Sequence, residues 1–213
     1  MSAPLTGWAA WRRSLAIGGG LTVVLMLIGT IGYLTADQPA PRVPPEPVVV
    51  VEAVPGGIAA VSDSHGPRDH HDGRSAGFAH DELGAAIAAS NLTARVSPAA
   101  GDVAKAAVIE QCFGDIPTTL ARLRSALPMS DSPSRAALQP QALHYRVLAG
   151  DPHGDAVVVS LLAETPQARD LGGLSRIDAT LSWIDGDWRL RVPLPAPSIH
   201  PSTEGYTLLG RTS

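Results

Sequence analysis

The chain has 213 residues, with 16 basic and 20 acidic side chains and a formal charge of −4. Beyond residue 36 it carries 14 basic against 20 acidic side chains, which argues against direct nucleic-acid binding, since phosphate recognition needs a basic stripe. Cys112 is the only cysteine, so no intrachain disulfide can form.

Residues 1–13 hold Arg12 and Arg13 and read as a short cytoplasmic N-terminus. Residues 14–36, "SLAIGGGLTVVLMLIGTIGYLTA", are uncharged, and at about 1.5 Å rise per residue such a run covers a bilayer core of roughly 30 Å. The expectation is one transmembrane helix in the cell membrane, with Trp8, Trp11 and Tyr33 near its interfaces. A cleaved secretory signal is the rival. Its apolar centre should span only about 7 to 15 residues, and "ADQPA" is a poor cleavage site. Positive charge before the run and none after it until Arg42 keeps the N-terminus inside and everything beyond extracytoplasmic.

Residues 37–64 read as a proline-rich spacer, within which "VVVVEAV" can pair as a short strand between Pro47 and Pro55. Residues 65–195 read as the folded domain. Three helices are expected: about 81–96, with Asp81 and Glu82 at its start; about 99–113; and one opened by Asp115 as N-cap with Pro117 in its first turn. Ile116, Leu120, Leu123 and Leu127 form the buried stripe of the third. After Pro140 the period changes to alternation. Leu143, Tyr145, Val147 and Ala149 share one face, as do Ile177, Ala179, Leu181 and Trp183, and the "DG" at Asp185 and Gly186 marks a two-residue hairpin. The segment "GDPHGD" reads as a turn rather than a calcium loop, because Asp151 and Asp155 lack the regular ligand spacing. Residues 196–213 form a polar tail whose "YTLL" can dock on a sheet edge. Helices followed by antiparallel strands define an α+β class.

The order of elements, closing in "LSWIDGDWRLRVP", resembles the cystatin-like cone fold typified by nuclear transport factor two. One lysine against fifteen arginines suits an actinobacterial source. The stretch "GFAHDELGAAIAASN", with Gly66 and Pro67 before it, is similar to the opening of membrane-anchored envelope proteins of integrative and conjugative elements, related to VirB-eight-like scaffolds. A weaker resemblance runs to Mce-associated membrane proteins. The resemblance implies a single transmembrane helix carrying an extracytoplasmic cystatin-like cone.

Candidate chemistry is sparse. His70 and His71 are adjacent and project apart, and His80 stands at a helix start where the dipole disfavours a cation, so no metal site is expected. Cys112 has no histidine within a helical turn and reads as a small apolar residue. The cone superfamily contains enzymes that use an Asp or His inside the cone, which directs attention to His144, Tyr145 and Asp178. Alternation sets His144 and Asp178 opposite the apolar faces, so no catalytic residue is assigned and no cofactor is expected. Trp183 and Trp188 are either both core, or one of them helps form a sheet-face contact.

Two functions compete. The first is a non-enzymatic, single-pass protein whose outer domain assembles with other envelope or transfer-apparatus proteins, or with itself, in a conjugation or secretion complex. The second is an accessory protein that binds lipid or a small molecule, which requires an apolar cavity of several hundred Å³, roughly the size of ordinary ligand pockets.

Overall fold

The computed structural model describes residues 46–70, 73–126 and 142–212. Its first element is a hairpin, β1 (Val50–Val54) with β2 (Gly57–Val61), inside the stretch expected to be spacer. Pro55 and Gly56 sit at the turn, and Gly56 has φ +89°. Proline followed by a positive-φ glycine is what a type II turn requires, so the prolines that suggested an extended spacer include the one that closes this hairpin.

Helix α1 (Glu82–Arg95) follows a loop, and Asp81 caps it by accepting the Gly84 N–H at 2.7 Å. Ala85, Ala86, Ile87, Ala88, Ala89 and Leu92 are completely buried. The helix is therefore covered all round rather than along one stripe: β2 packs on it, and so does the large sheet. Alanine makes this possible, because small side chains let both layers approach the helix axis. Its buried polar residues are satisfied locally. The Ala60 N–H donates to Ser90 Oγ at 3.0 Å, and Asn91 Nδ2 donates to the Ala60 carbonyl at 2.7 Å.

A 3₁₀ turn (Pro98–Ala100) leads to α2 (Asp102–Gln111), which gives way directly to β3 (Cys112–Gly114). Asp115 then caps α3 (Ile116–Ser125), accepting the Thr118 N–H at 3.0 Å. Leu127, expected on the stripe of this helix, lies outside the described residues.

The remaining strands are β4 (Ala142–Gly150), β5 (Ala156–Ala163), β6 (Leu174–Ile184), β7 (Asp187–Val192), β8 (Ser198–His200) and β9 (Thr207–Arg211), with a short helix α4 (Pro166–Asp170) between β5 and β6. Together with β3 they form a seven-stranded sheet, six strands of it in the order β3-β7-β6-β5-β4-β9 and β8 off this path on β6. β6 is longer than its hairpin partner. β7 pairs with its end, from Leu181 to Ile184, and β8 pairs with its beginning, from Leu174 to Arg176. The inner face carries Val157, Val159, Leu161, Ala179, Leu181, Trp188 and Leu190 against α1.

The expected architecture, one transmembrane helix carrying a cystatin-like cone, needs correction. No helix among the described residues is long and apolar enough to cross a membrane. The longest, α1, has 14 residues, and a span needs about 20. Residues 14–36, on which that expectation rested, lie outside the described residues. The sheet also differs from a simple antiparallel meander that follows the helices: a hairpin precedes the helices, and β3 pairs with β7 in parallel. Such pairing is invisible to local alternation. The described residues form a mixed α+β fold around one large sheet.

Candidate functional site

The turn of the first hairpin, the end of α1, α3 and the inner face of β4–β6 do not close completely. Between them lies an open cleft of about 500 Å³. Its floor is aliphatic, with Leu143, Leu161 and Ile177 from the sheet and Ile58 from β2. Leu123 on α3 and the segment 193–197 after β7, with its three prolines, form the walls. A proline-rich wall donates few backbone N–H groups, so it adds apolar surface without leaving buried donors unpaired.

Polar groups at the cleft are mostly engaged elsewhere. Ser90 Oγ donates to the Ile87 carbonyl at 2.8 Å, Thr93 Oγ1 to the Ala89 carbonyl at 2.7 Å, and Thr119 Oγ1 to the Asp115 carbonyl at 2.8 Å. Arg122 is the only charged residue lining the cleft among the described residues. It stands in the last turn of α3, exposed at the rim.

The residues singled out by the sequence lie elsewhere. His80 stacks on Trp183, with ring centroids 4.0 Å apart and planes within 3°, and its Nε2 donates to the Gly154 carbonyl at 2.8 Å. Trp188 is buried beneath them and donates Nε1–H to the Ala79 carbonyl at 3.0 Å. Trp188 is thus core, while Trp183 is half-buried and partnered by His80. His70 is exposed, and His71 lies outside the described residues. Asp151 orders the "GDPHGD" turn by accepting the His153 N–H at 2.9 Å.

His144 and Asp178 both occupy the outer face of the sheet, on strands separated by β5. Burial holds the His144 imidazole below its ordinary pKa, Arg211 adds to this and Glu164 opposes it. Asp178 belongs to a polar cluster. Ser160 Oγ donates to its Oδ1 at 2.6 Å, and Arg176 grips both oxygens, at 2.9 Å and 2.7 Å. The Tyr206 hydroxyl lies 3.0 Å from Ser160 Oγ. The only proton of Ser160 goes to Asp178, so Tyr206 is the donor in that bond. Burial raises the Asp178 pKa, but these bonds and the charges of Arg176 and Arg146 outweigh it and hold the carboxyl below its usual value. Tyr145 faces inward, its pKa raised by burial and by the neighbouring Glu82. Cys112 is pushed up to about 12 by burial, against the opposing charge of Arg189. At neutral pH it is therefore almost wholly a thiol.

Sequence reading did not find the cleft. Its walls come from segments scattered between Gly56 and Pro197, none with a motif. The one local signal was the proline cluster at 193–197, which straddles the expected boundary between domain and tail at residue 195. Nor did it find the Ser160–Tyr206 bond, which joins positions 46 apart in the chain.

These features define an α+β domain with an open, mainly aliphatic cleft on the helix side of its sheet. The chain belongs to the DUF8175 family, a domain of unknown function whose family model matches residues 31–208. No curated protein and no solved structure matches it.

Proposed function

We propose that this domain is a non-enzymatic binding module of the cell envelope that holds a small apolar molecule in the cleft. The observation that carries the reading is the cleft itself. Its volume of about 500 Å³ falls in the range of roughly 300 to 1,000 Å³ typical of pockets for one small ligand. Its aliphatic floor favours hydrocarbon, and the hydroxyls of Ser90, Thr93 and Thr119 already donate to the backbone. The resemblance to Mce-associated proteins supports a lipid-related role and an extracytoplasmic location. The test is to purify the full chain, extract it with organic solvent and identify bound molecules by mass spectrometry. A lipid found in stoichiometric amount, and lost in a folded Thr93→Trp variant that fills the cleft, supports the reading. A clean extract, together with no uptake of an apolar fluorescent probe, overturns it.

A second reading, assembly with transfer-apparatus proteins in a conjugation or secretion complex, draws support from exposed apolar side chains. Val48, just before the first hairpin, and Val50, in its first strand, are 75% and 45% exposed, and Leu208 on β9 is 46% exposed. β9 is an edge of the sheet, and sheet edges are ready sites for strand addition. Photo-crosslinkers at Leu208 should then capture transfer ATPase or channel subunits in native membranes. Their absence from the products counts against assembly through this edge.

A further inference from the structure

The charge at the cleft is one-sided. Arg122 is the only charged residue lining it among the described residues, and there its side chain makes no ion pair or hydrogen bond with any of them. The carboxylate whose titration Arg122 affects is Asp115, at the opposite end of α3, and that group is committed to capping the helix through Thr118. A cation in the last helical turn complements the helix dipole. The dipole alone does not account for a guanidinium at the mouth of an aliphatic cleft with its donors unused among the described residues.

From this we infer that the cleft takes a single-chain amphiphile with one anionic end, a fatty-acid carboxylate, whose hydrocarbon lies over Leu143, Leu161 and Ile177 while Arg122 binds the head at the rim. The inference rests on the binding function proposed above and names its ligand class. Three arguments favour a carboxylate over a neutral lipid. The planar guanidinium fork matches the two oxygens of a carboxylate and has no acceptor to offer an alcohol. No acidic residue lines the cleft among the described residues, so none of their carboxylates repels an anion there. The hydroxyls of Ser90, Thr93 and Thr119 already donate to backbone carbonyls, which leaves Ser97 and Ser175 as the lining hydroxyls still able to donate among the described residues; the one charged donor is Arg122, so an anionic head belongs at the mouth.

The test is titration of the full chain with dodecanoate and with dodecanol, ligands of equal chain length that differ in charge, read by displacement of an apolar fluorescent probe. The wild-type chain should bind dodecanoate more tightly by roughly fivefold, the size expected for a partly solvated Arg–carboxylate pair. Arg122→Gln should bring the two affinities to within about twofold by weakening dodecanoate alone, and Arg122→Lys should restore part of the difference. Higher ionic strength should weaken dodecanoate and leave dodecanol unchanged. Equal binding of the two ligands, with Arg122→Gln silent, overturns the anionic assignment and leaves the cleft as a neutral-lipid site. Failure of both ligands to displace the probe overturns the binding function as well.

Discussion

The Asp187 carboxylate accepts the backbone N–H of Gly77 at 2.9 Å, across 110 positions of chain. Its other oxygen accepts from the Phe78 N–H at 3.2 Å and from the Trp188 N–H at 2.9 Å. One side chain at the start of β7 thereby ties the last hairpin to the loop that enters α1. The same loop presents His80 to Trp183, so the aromatic stack depends on this tether.

Replacing Asp187 by alanine leaves the Gly77 and Phe78 amides without their acceptor. The expected cost is about 1–3 kcal/mol. Asp187→Asn keeps one acceptor oxygen and should fall between the two. Urea denaturation followed by tryptophan fluorescence measures both, since Trp183 and Trp188 report on this region. A loss below about 0.5 kcal/mol for the alanine variant would mean that water replaces the tether without penalty.

Gly84 lies in the first turn of α1, where alanine would ordinarily stabilise a helix by up to about 1 kcal/mol. Here the packing reverses the sign. A Cβ at this position would stand 2.1 Å from the Ala79 carbonyl oxygen, the same carbonyl that accepts Trp188 Nε1–H. Gly84→Ala should therefore destabilise by roughly 2–3 kcal/mol through overpacking and should shift the tryptophan emission. A variant as stable as the parent would show that the loop at Ala79 moves aside freely.

The elements that alternate were legible. Leu143, Tyr145, Ala179 and Leu181 face the core as their period demands, whereas the β-bulge between Val147 and Ala149 breaks the alternation of β4 and leaves Ala149 exposed, off the face expected of it; the "DG" turn appears with Asp185 at φ +53° and Gly186 at φ +80°. The cap Asp115 was legible because capping is local chemistry, and Asp81, read for its charge at the start of the helix, proves to be the cap of α1. Elements defined by distant partners were not. Cys112–Gly114 looks like the end of a helix and becomes a strand only because β7 pairs with it. Pro55 looks like part of a spacer until Gly56 closes the turn and β2 meets α1. The cleft is the extreme case, since nothing within any one segment encodes it.

The cluster on the outer face predicts the behaviour of the C-terminal strap. Tyr206 bonds Ser160, lies under the Arg146 guanidinium at 4.8 Å and meets the His200 ring at 5.4 Å. Tyr206→Phe removes only the hydroxyl, and the donor bond is worth about 1 kcal/mol. Amide exchange in residues 198–206 should then quicken severalfold while exchange in α1 is unchanged, because local opening of the strap does not require global unfolding. Uniform acceleration would show instead that the strap and core open together.

His144 predicts a pH dependence with a definite sign. Its Nδ1 is buried without a hydrogen-bond partner among the described residues, and burial, the leading cause, holds its folded pKa below the ordinary value. An unfolded imidazole titrates near 6.5. As pH falls through about 6.5 the unfolded chain takes up this proton first, so it binds more protons than the native state and folding stability declines. The decline ends once pH passes the folded pKa and both states are protonated. Thus the contribution of His144 is fully present above about pH 6.5 and lost below it. Melting temperatures of the parent and of His144→Gln should converge or cross as pH is lowered from 8 to about 5, with the variant flatter. The difference between the two profiles cancels the other histidines. Parallel profiles would mean that the imidazole titrates equally in both states, and that the buried Nδ1 carries no electrostatic cost.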